Sequence, residues 1–166
     1  ISSGLITGTQ WDVMLNKMVE KGEIQASDLT SSGNWGNYMD NSIEYKGRMA
    51  RGYYTNAWHL EAFREETEGR TSIYSLHNGD LLTTGASRRT EKYHVYDVAG
   101  NVSEWTDEVS LYKERNGKET NNQYYVIRGG QNDDNCANYP VCYRYGESYI
   151  TSTEMGRGFR VVLYIK

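Results

Sequence analysis

The chain has little cysteine, no long apolar run and no block of positive charge. Two cysteines in 166 residues are too few for a disulfide framework, so Cys136 and Cys142 could pair, stay reduced or be incidental. No apolar run approaches the roughly 20 residues that span a bilayer, which predicts a soluble domain without direct membrane insertion. The 18 basic and 22 acidic residues give a net charge of −4 and do not favour a nucleic-acid partner.

The length bounds the organisation of the chain. A chain of 166 residues suits one domain with its own hydrophobic core, and we expect residues 1–166 to form one ligand-binding unit. The sequence begins at Ile1 and not at methionine, which predicts the C-terminal part of a larger or processed protein. No signal peptide is visible, and a trimmed start leaves an earlier one open.

Tyrosine is the residue in excess, with 15 Tyr beside 4 Trp and 2 Phe. Tyrosine offers a stiff contact area with a polar tip, which suits binding surfaces. Aromatic residues also pack well in β-strands, so both interpretations stay open for the chain as a whole. Binding is favoured at Tyr145 and Tyr149, because both lie among polar residues typical of loops.

One helix is predicted near the start of the chain. Trp11, Leu15 and Met18 fall on one face at helical spacing, which predicts an amphipathic helix from Thr9 to Gly22. An acidic residue three positions after Thr9 suggests a capping box at that threonine. Gly22 is a natural C-terminal stop.

The rest of the chain predicts strands and long loops. Tyr124–Arg128 and Phe159–Ile165 are rich in Val and Ile and are predicted strands. Residues 31–54 lack periodicity and predict ordered loops, whereas residues 58–68 could form a short helix. The aromatic anchors predicted for these loops are Trp35, Tyr38 and Tyr45. The expected class is α+β, with a small antiparallel sheet, one or two helices and long ordered loops.

Four motifs follow one another in the last part of the chain. They are Gly-Asn-Val-Ser-Glu-Trp at 100–105, Arg-Gly-Gly at 128–130, Tyr-Arg at 143–144 and Gly-Phe-Arg-Val-Val at 158–162. This series resembles the signature of the formylglycine-generating enzyme (sulfatase-modifying factor) family. The resemblance implies a C-type lectin fold of that family's subtype. It does not fix an activity, because one fold hosts many functions.

The resemblance implies two contrasting functions, and the cysteines bear on the first. The family's enzymes are oxidases that hold copper between two thiolates, which are soft ligands for Cu(I). Their cysteines lie five residues apart, whereas Cys136 and Cys142 are six apart, and Cys142 directly precedes the Tyr-Arg motif. We therefore predict no enzyme and no catalytic cofactor, with a copper-dependent oxidase as the alternative.

The second function is binding by a diversified surface. Two irregular stretches, 131–138 and 145–157, separate the motifs and contain many residues that an asparagine codon reaches by changing its adenines. This pattern resembles the variable proteins of diversity-generating retroelements, which implies a protein or glycan ligand on another surface. The implied location is extracellular, on a cell surface or a phage virion, and oligomerisation stays open. Ordinary hydrophilic loops, as in a structural adhesin domain without a diversified site, remain an alternative.

The ligand-binding residues predicted from these stretches are polar, aromatic or apolar side chains that would reach a partner. They are Gln131, Asn132, Asp133, Asp134, Asn135, Cys136, Asn138, Tyr145, Glu147, Tyr149, Ile150, Ser152, Glu154 and Arg157.

The resemblance also implies a structural calcium ion. Carried onto the matching positions, its ligands would be the side chains of Asp97 and Glu104 and the carbonyls of Gly100 and Val102. Oxygen ligands of this kind suit Ca²⁺. The alternative is that the two carboxylates brace the turn without a metal.

Overall fold

The computed structural model describes residues 1–41, 51–52, 81–82, 84–85, 87–113, 119–147 and 156–164. In chain order, its helices and strands are β1 (Ser2–Leu5), α1 (Gly8–Glu20), β2 (Arg51–Gly52), β3 (Leu81–Leu82), β4 (Ser103–Lys113), β5 (Glu119–Arg128), β6 (Arg144–Glu147), β7 (Arg157–Phe159) and β8 (Val161–Tyr164). Two short 3₁₀ helices, Ala26–Leu29 and Ser32–Asn34, follow α1. One α-helix and several small sheets in the described parts of the chain make an α+β fold, as predicted.

The predicted amphipathic helix is confirmed, but its cap is not the predicted one. Helix α1 is capped by Thr7, whose hydroxyl accepts a hydrogen bond from the Gln10 amide at 3.0 Å. The Gln10 side chain accepts one from the Thr7 amide at 2.9 Å in return, which completes a capping box. The prediction of Thr9 as the cap was wrong, because Thr7 has an equally suitable partner and Asp12 is used elsewhere.

The apolar face of α1 forms the centre of the core. Its Trp11 and Met18 are fully buried, and they cluster with Trp35 and Tyr38 from the loops that follow the helix. The roles of Trp35 and Tyr38 as loop anchors are thereby confirmed. The third predicted anchor, Tyr45, and the ambiguous segment 58–68 lie outside the described residues.

The main sheet has the strand order β6-β5-β4-β7. Strands β4, β5 and β6 pair antiparallel, whereas β7 runs parallel to β4, so the sheet is mixed. Strand β5 begins at Glu119, five residues before the predicted start, because pairing with β4 extends it through a polar stretch. No helix in the described ranges is long and apolar enough to cross a membrane.

The predicted closing strand is divided between two sheets. Residues 157–159 form β7 beside β4, whereas residues 161–164 form β8, which pairs antiparallel with β1. Arg160 separates the two strands, because its side chain turns to the carboxylate of Glu104. The prediction of one continuous strand over 159–165 was therefore wrong.

Candidate functional site

The turn before β4 is held by a buried asparagine. Gly100 and Asn101 have φ values of 70° and 65°, which glycine and asparagine adopt more readily than other residues. The Asn101 side chain donates to the Leu82 carbonyl at 3.0 Å and accepts from the Leu82 amide at 2.9 Å and from Asn37 at 3.0 Å. A Cβ on Gly100 would lie 2.1 Å from the Asn37 carbonyl oxygen. The turn is therefore fixed between strand β3 and the loop that contains Asn37.

The carboxylates predicted to bind calcium meet at this turn, where each already has a partner. Asp97 and Glu104 are both 4% exposed. Glu104 accepts hydrogen bonds from Arg160 at 2.8 and 2.5 Å, and Asp97 accepts one from the Gly85 amide at 2.8 Å. Burial raises the pKa of Glu104, Arg160 lowers it in part, and Asp97 adds to the rise.

The hydrogen bonds of Asp97 and Glu104 decide whether a calcium ion could be coordinated at this turn. The two implied carbonyl ligands, Gly100 and Val102, belong to the same turn. Both carboxylate oxygens of Glu104, however, are engaged by a guanidinium. A divalent cation would have to displace this guanidinium or lie against its charge. The described geometry thus fits a braced turn and does not fit calcium coordinated by Glu104.

The two cysteines are free and have different surroundings. The buried Cys136 thiol donates to Asp40 at 3.3 Å, and burial together with this carboxylate raises its pKa. Burial also raises the pKa of Cys142, which lies in the field of Arg128 and Asp12. Burial thus opposes ionisation of both thiols, and a metal bound there would have to release their protons. Across the described ranges, no group of three or more His, Cys, Asp and Glu side chains is placed to hold a metal ion.

A cavity of about 180 Å³ opens where the strands of the main sheet come together. Its lining comes from the first residues of β4 and β7, from β5 and β6, and from the loop between β5 and β6. The lining residues are Ser103, Ile127, Gly130, Gln131, Asp134, Tyr139, Tyr143, Tyr145 and Arg157. Pairing of Ser103 with Arg157 and of Ile127 with Tyr145 sets their order across the sheet. Four predicted ligand-binding residues therefore meet at one cavity: Gln131, Asp134, Tyr145 and Arg157.

Three tyrosines form an aromatic cluster in this cavity. The rings of Tyr139 and Tyr143 meet edge to face, with centroids 5.1 Å apart and an interplanar angle of 78°. The rings of Tyr143 and Tyr145 are nearly parallel, at 17° and 6.4 Å. Such pairs contribute about 0.5–1.5 kcal/mol beyond their buried area. Tyr139 and Tyr145 remain 38% and 45% exposed, so the cluster is open to a ligand.

Sequence reasoning missed Tyr139 and Tyr143, which lie between the two stretches considered variable. The segment turns sharply, because the Tyr143 amide donates to the Pro140 carbonyl at 2.8 Å. The only proline of the chain was the available signal for this turn. Gly130 fits beside the cluster because it has no side chain: a Cβ there would lie 2.4 Å from the Tyr139 carbonyl oxygen.

The cavity is lined by one carboxylate, Asp134, and one guanidinium, Arg157. The charges of these two groups are offset by protein partners to different extents. The half-buried Asp134 accepts a hydrogen bond from the Gln131 amide at 2.9 Å. Burial raises the pKa of Asp134 more than this hydrogen bond lowers it. Arg157, in contrast, lies 2.8 Å from the buried Glu147 carboxylate and over the Trp105 ring at 5.7 Å. The charge of Arg157 is therefore balanced within the protein.

The other predicted ligand-binding residues differ in exposure. Asp133 and Asn138 are exposed and Asn135 is half-buried, whereas Asn132, Cys136 and Glu147 are buried. Tyr145 was expected in a loop but lies in β6, because it pairs with Ile127 of β5. Four further residues lie outside the described ranges, namely Tyr149, Ile150, Ser152 and Glu154.

Fold and site together define an α+β domain in which a braced, glycine-rich turn and a tyrosine-lined cavity adjoin one mixed sheet. The model of the sulfatase-modifying factor enzyme 1-like domain matches residues 24–165. The chain therefore belongs to this family, which confirms the family resemblance. No curated protein and no solved structure matches the chain.

Proposed function

We propose that this chain is a ligand-binding domain with a C-type lectin fold of the formylglycine-generating-enzyme subtype and a diversified surface, as in variable proteins of diversity-generating retroelements. Its ligand would be a protein or glycan on another surface, and its location extracellular, on a cell surface or virion. One observation carries the proposal: residues from both stretches considered variable line a single open cavity.

A network of ion pairs next to the cavity supports this function, since Arg128 directly follows the lining residue Ile127 in β5. Arg128 is 1% exposed and lies 2.5 Å from Asp12 and 3.4 Å from Glu108. It also lies over the Trp11 ring at 5.8 Å, and Glu108 forms a second ion pair with Arg144. Side chains carried on such a frame can change without unfolding the backbone that presents them.

The exposure of each side chain indicates which positions could vary without loss of stability. Exposed substitutions usually change stability by less than about 0.5 kcal/mol, which suits Asp133, Asn138 and Tyr145. The Glu147–Arg157 pair is mostly buried, and loss of one partner would leave a charge uncompensated. We therefore expect variation at the exposed positions and joint replacement, or none, at this pair.

The proposal contains no catalytic step. A copper-dependent oxidase would hold the metal between two thiolates, and Cys136 and Cys142 are six residues apart, whereas the cysteines of the enzymes that the chain resembles are five apart. Titration with Cu(I) tests this alternative directly. Tight binding by the wild type that is lost in Cys136→Ser and in Cys142→Ser would support the oxidase.

The diversification is tested by sequencing the source locus around the codons for Gly130 to Arg157. A nearby non-coding near-copy, differing only where the copy has adenines, would establish a diversified binder. Absence of such a copy would contradict diversification, and the fold would then present a fixed surface.

Binding itself is tested with the purified chain on arrays of glycans and extracellular proteins. Tyr145→Ala should abolish a specific signal, because its ring lines the cavity. Tyr125→Ala is the matched control, since Tyr125 is similarly exposed, at 39%, and is not among the residues that line the cavity. Signals unaffected by Tyr145→Ala would contradict binding at this cavity.

A further inference from the structure

The size of the tyrosine-lined cavity limits what it can hold. Its volume of about 180 Å³ is below the roughly 300–1,000 Å³ of pockets that enclose drug-sized ligands. It suits one side chain or one small headgroup, with the remainder of a larger ligand outside.

The charges in the cavity favour a cation. Asp134 is the carboxylate in the lining, and the neighbouring Asp133 adds negative potential. The guanidinium of Arg157 is offset by Glu147 at 2.8 Å. The described groups around the cavity therefore carry an excess of negative charge.

The aromatic lining of the cavity also favours a positively charged ligand group. Tyr139, Tyr143 and Tyr145 all line the cavity. Aromatic rings attract cations through the negative potential of their faces, and several rings with a carboxylate are a recurrent way to hold ammonium groups. An anion would instead meet Asp134 and an arginine whose charge is already balanced.

We propose that this cavity binds a single ammonium group of the ligand, between the tyrosine cluster and Asp134, which presupposes the ligand-binding function proposed above. A bound cation would also compensate the desolvated Asp134 carboxylate, whose pKa burial raises. The ammonium group could belong to a lysine side chain or to a quaternary headgroup, since both have the required charge and fit one small cavity.

The experiment compares choline with its neutral carbon isostere, in which a tert-butyl group replaces the trimethylammonium group. The two probes have the same shape and differ in charge. Binding is followed by NMR titration of the full chain with isotope-labelled tyrosine rings. We expect choline to shift the resonances of Tyr139, Tyr143 and Tyr145 with a dissociation constant on the order of millimolar. The isostere should bind at least about fivefold more weakly.

Two variants and two matched controls locate the effect. Asp134→Asn keeps the shape of the side chain and should weaken choline binding about fivefold. Asp133→Asn removes the same charge from a neighbour outside the lining and should change binding less than about twofold. Tyr143→Leu should weaken binding at least about threefold, with Tyr125→Leu as the control. If Tyr143→Leu does not fold, the comparison of Asp134→Asn with Asp133→Asn still tests the proposal.

The outcomes separate this inference from the proposed function. Equal binding of choline and the isostere, or equal effects of Asp134→Asn and Asp133→Asn, would overturn the cation site and leave a ligand-binding cavity. Silence of the tyrosine resonances to choline, the isostere, acetate and N-acetylglucosamine alike would overturn the cation site and count against the proposed function. Tighter binding of n-butylammonium than of choline would support the cation site with a lysine side chain as its source, and the reverse would support a quaternary headgroup.

Discussion

The turn before β4 and the neighbouring tyrosine-lined cavity differ in how their polar groups are used. At the turn before β4, Asn101, Glu104 and Arg160 direct their side chains to partners inside the protein. At the cavity, Tyr139 and Tyr145 keep more than a third of their surface exposed. The motif residues Asn101, Glu104 and Arg160 therefore brace the turn, whereas the ligand-binding surface proposed above depends on side chains that stay exposed.

The largest expected difference concerns two arginines that share a partner. Arg128→Met should lower the free energy of unfolding by about 1.5–3 kcal/mol, because it removes the buried guanidinium that pairs with Asp12 and Glu108. Arg144→Met removes an arginine that is 57% exposed and pairs with the same Glu108, and should cost less than about 1 kcal/mol. Urea unfolding measures both, and equal losses would contradict a division between frame and surface.

A smaller difference is expected for two tyrosine hydroxyls. Tyr38→Phe removes a buried hydrogen bond of 2.8 Å to the Gly129 carbonyl and should cost about 1–2 kcal/mol. Tyr143→Phe removes a hydroxyl from the cavity cluster and should cost less than about 0.5 kcal/mol. Thermal unfolding of the two variants compares the frame with the cavity, and a larger loss for Tyr143→Phe would reverse the assignment.

The reactivity of the buried Cys136 thiol should depend on pH and on folding. Burial raises the pKa of Cys136 in the folded chain, so alkylation by iodoacetamide should be slower at neutral pH than in the chain unfolded by urea. The rate should increase as the pH rises through the raised pKa. The pKa of Cys136 is higher in the folded chain than in the unfolded chain. The contribution of this thiol to stability is therefore fully present below the unfolded pKa and is lost as the pH rises through the folded pKa. Rapid alkylation of folded Cys136 at neutral pH would contradict this prediction.

The smallest expected effect is that of calcium. Arg160 engages both oxygens of Glu104, so millimolar calcium should leave the melting temperature unchanged relative to the same concentration of magnesium. A calcium-specific rise would show that the metal displaces the guanidinium, because a ligand that binds only the folded state stabilises it. Such a rise would restore the set Asp97, Gly100, Val102 and Glu104 as calcium ligands.

Local patterns in the sequence predicted the parts of the fold that depend on local physics. The apolar face of α1 follows from the helical spacing of Trp11, Leu15 and Met18. The helix cap was misplaced by two residues, because Thr7 and Thr9 offer similar signals and only the reciprocal bond to Gln10 separates them.

Contacts between distant residues account for what the sequence did not predict. The division of the closing strand depends on Arg160 meeting Glu104, which lies 56 residues earlier in the chain. Likewise, the burial of Glu147 depends on Arg157, which belongs to another strand. Tyr139 resembles an ordinary loop residue in the sequence, and Tyr143 is marked only as part of the Tyr-Arg motif. The position of both rings depends on the cavity that the sheet and the loop enclose together.

The ribbon formed by β1 and β8 has a mechanical consequence. Ser2 pairs with Tyr164, and Leu5 with Val161, so Ser2 and Tyr164 lie side by side at one end of the ribbon. A force that pulls Ser2 and Tyr164 apart would act across the ribbon. The hydrogen bonds between β1 and β8 would then break one after another and not all at once. Pulled from both ends, the domain would therefore open first at this ribbon, under low force, before the load reaches the main sheet.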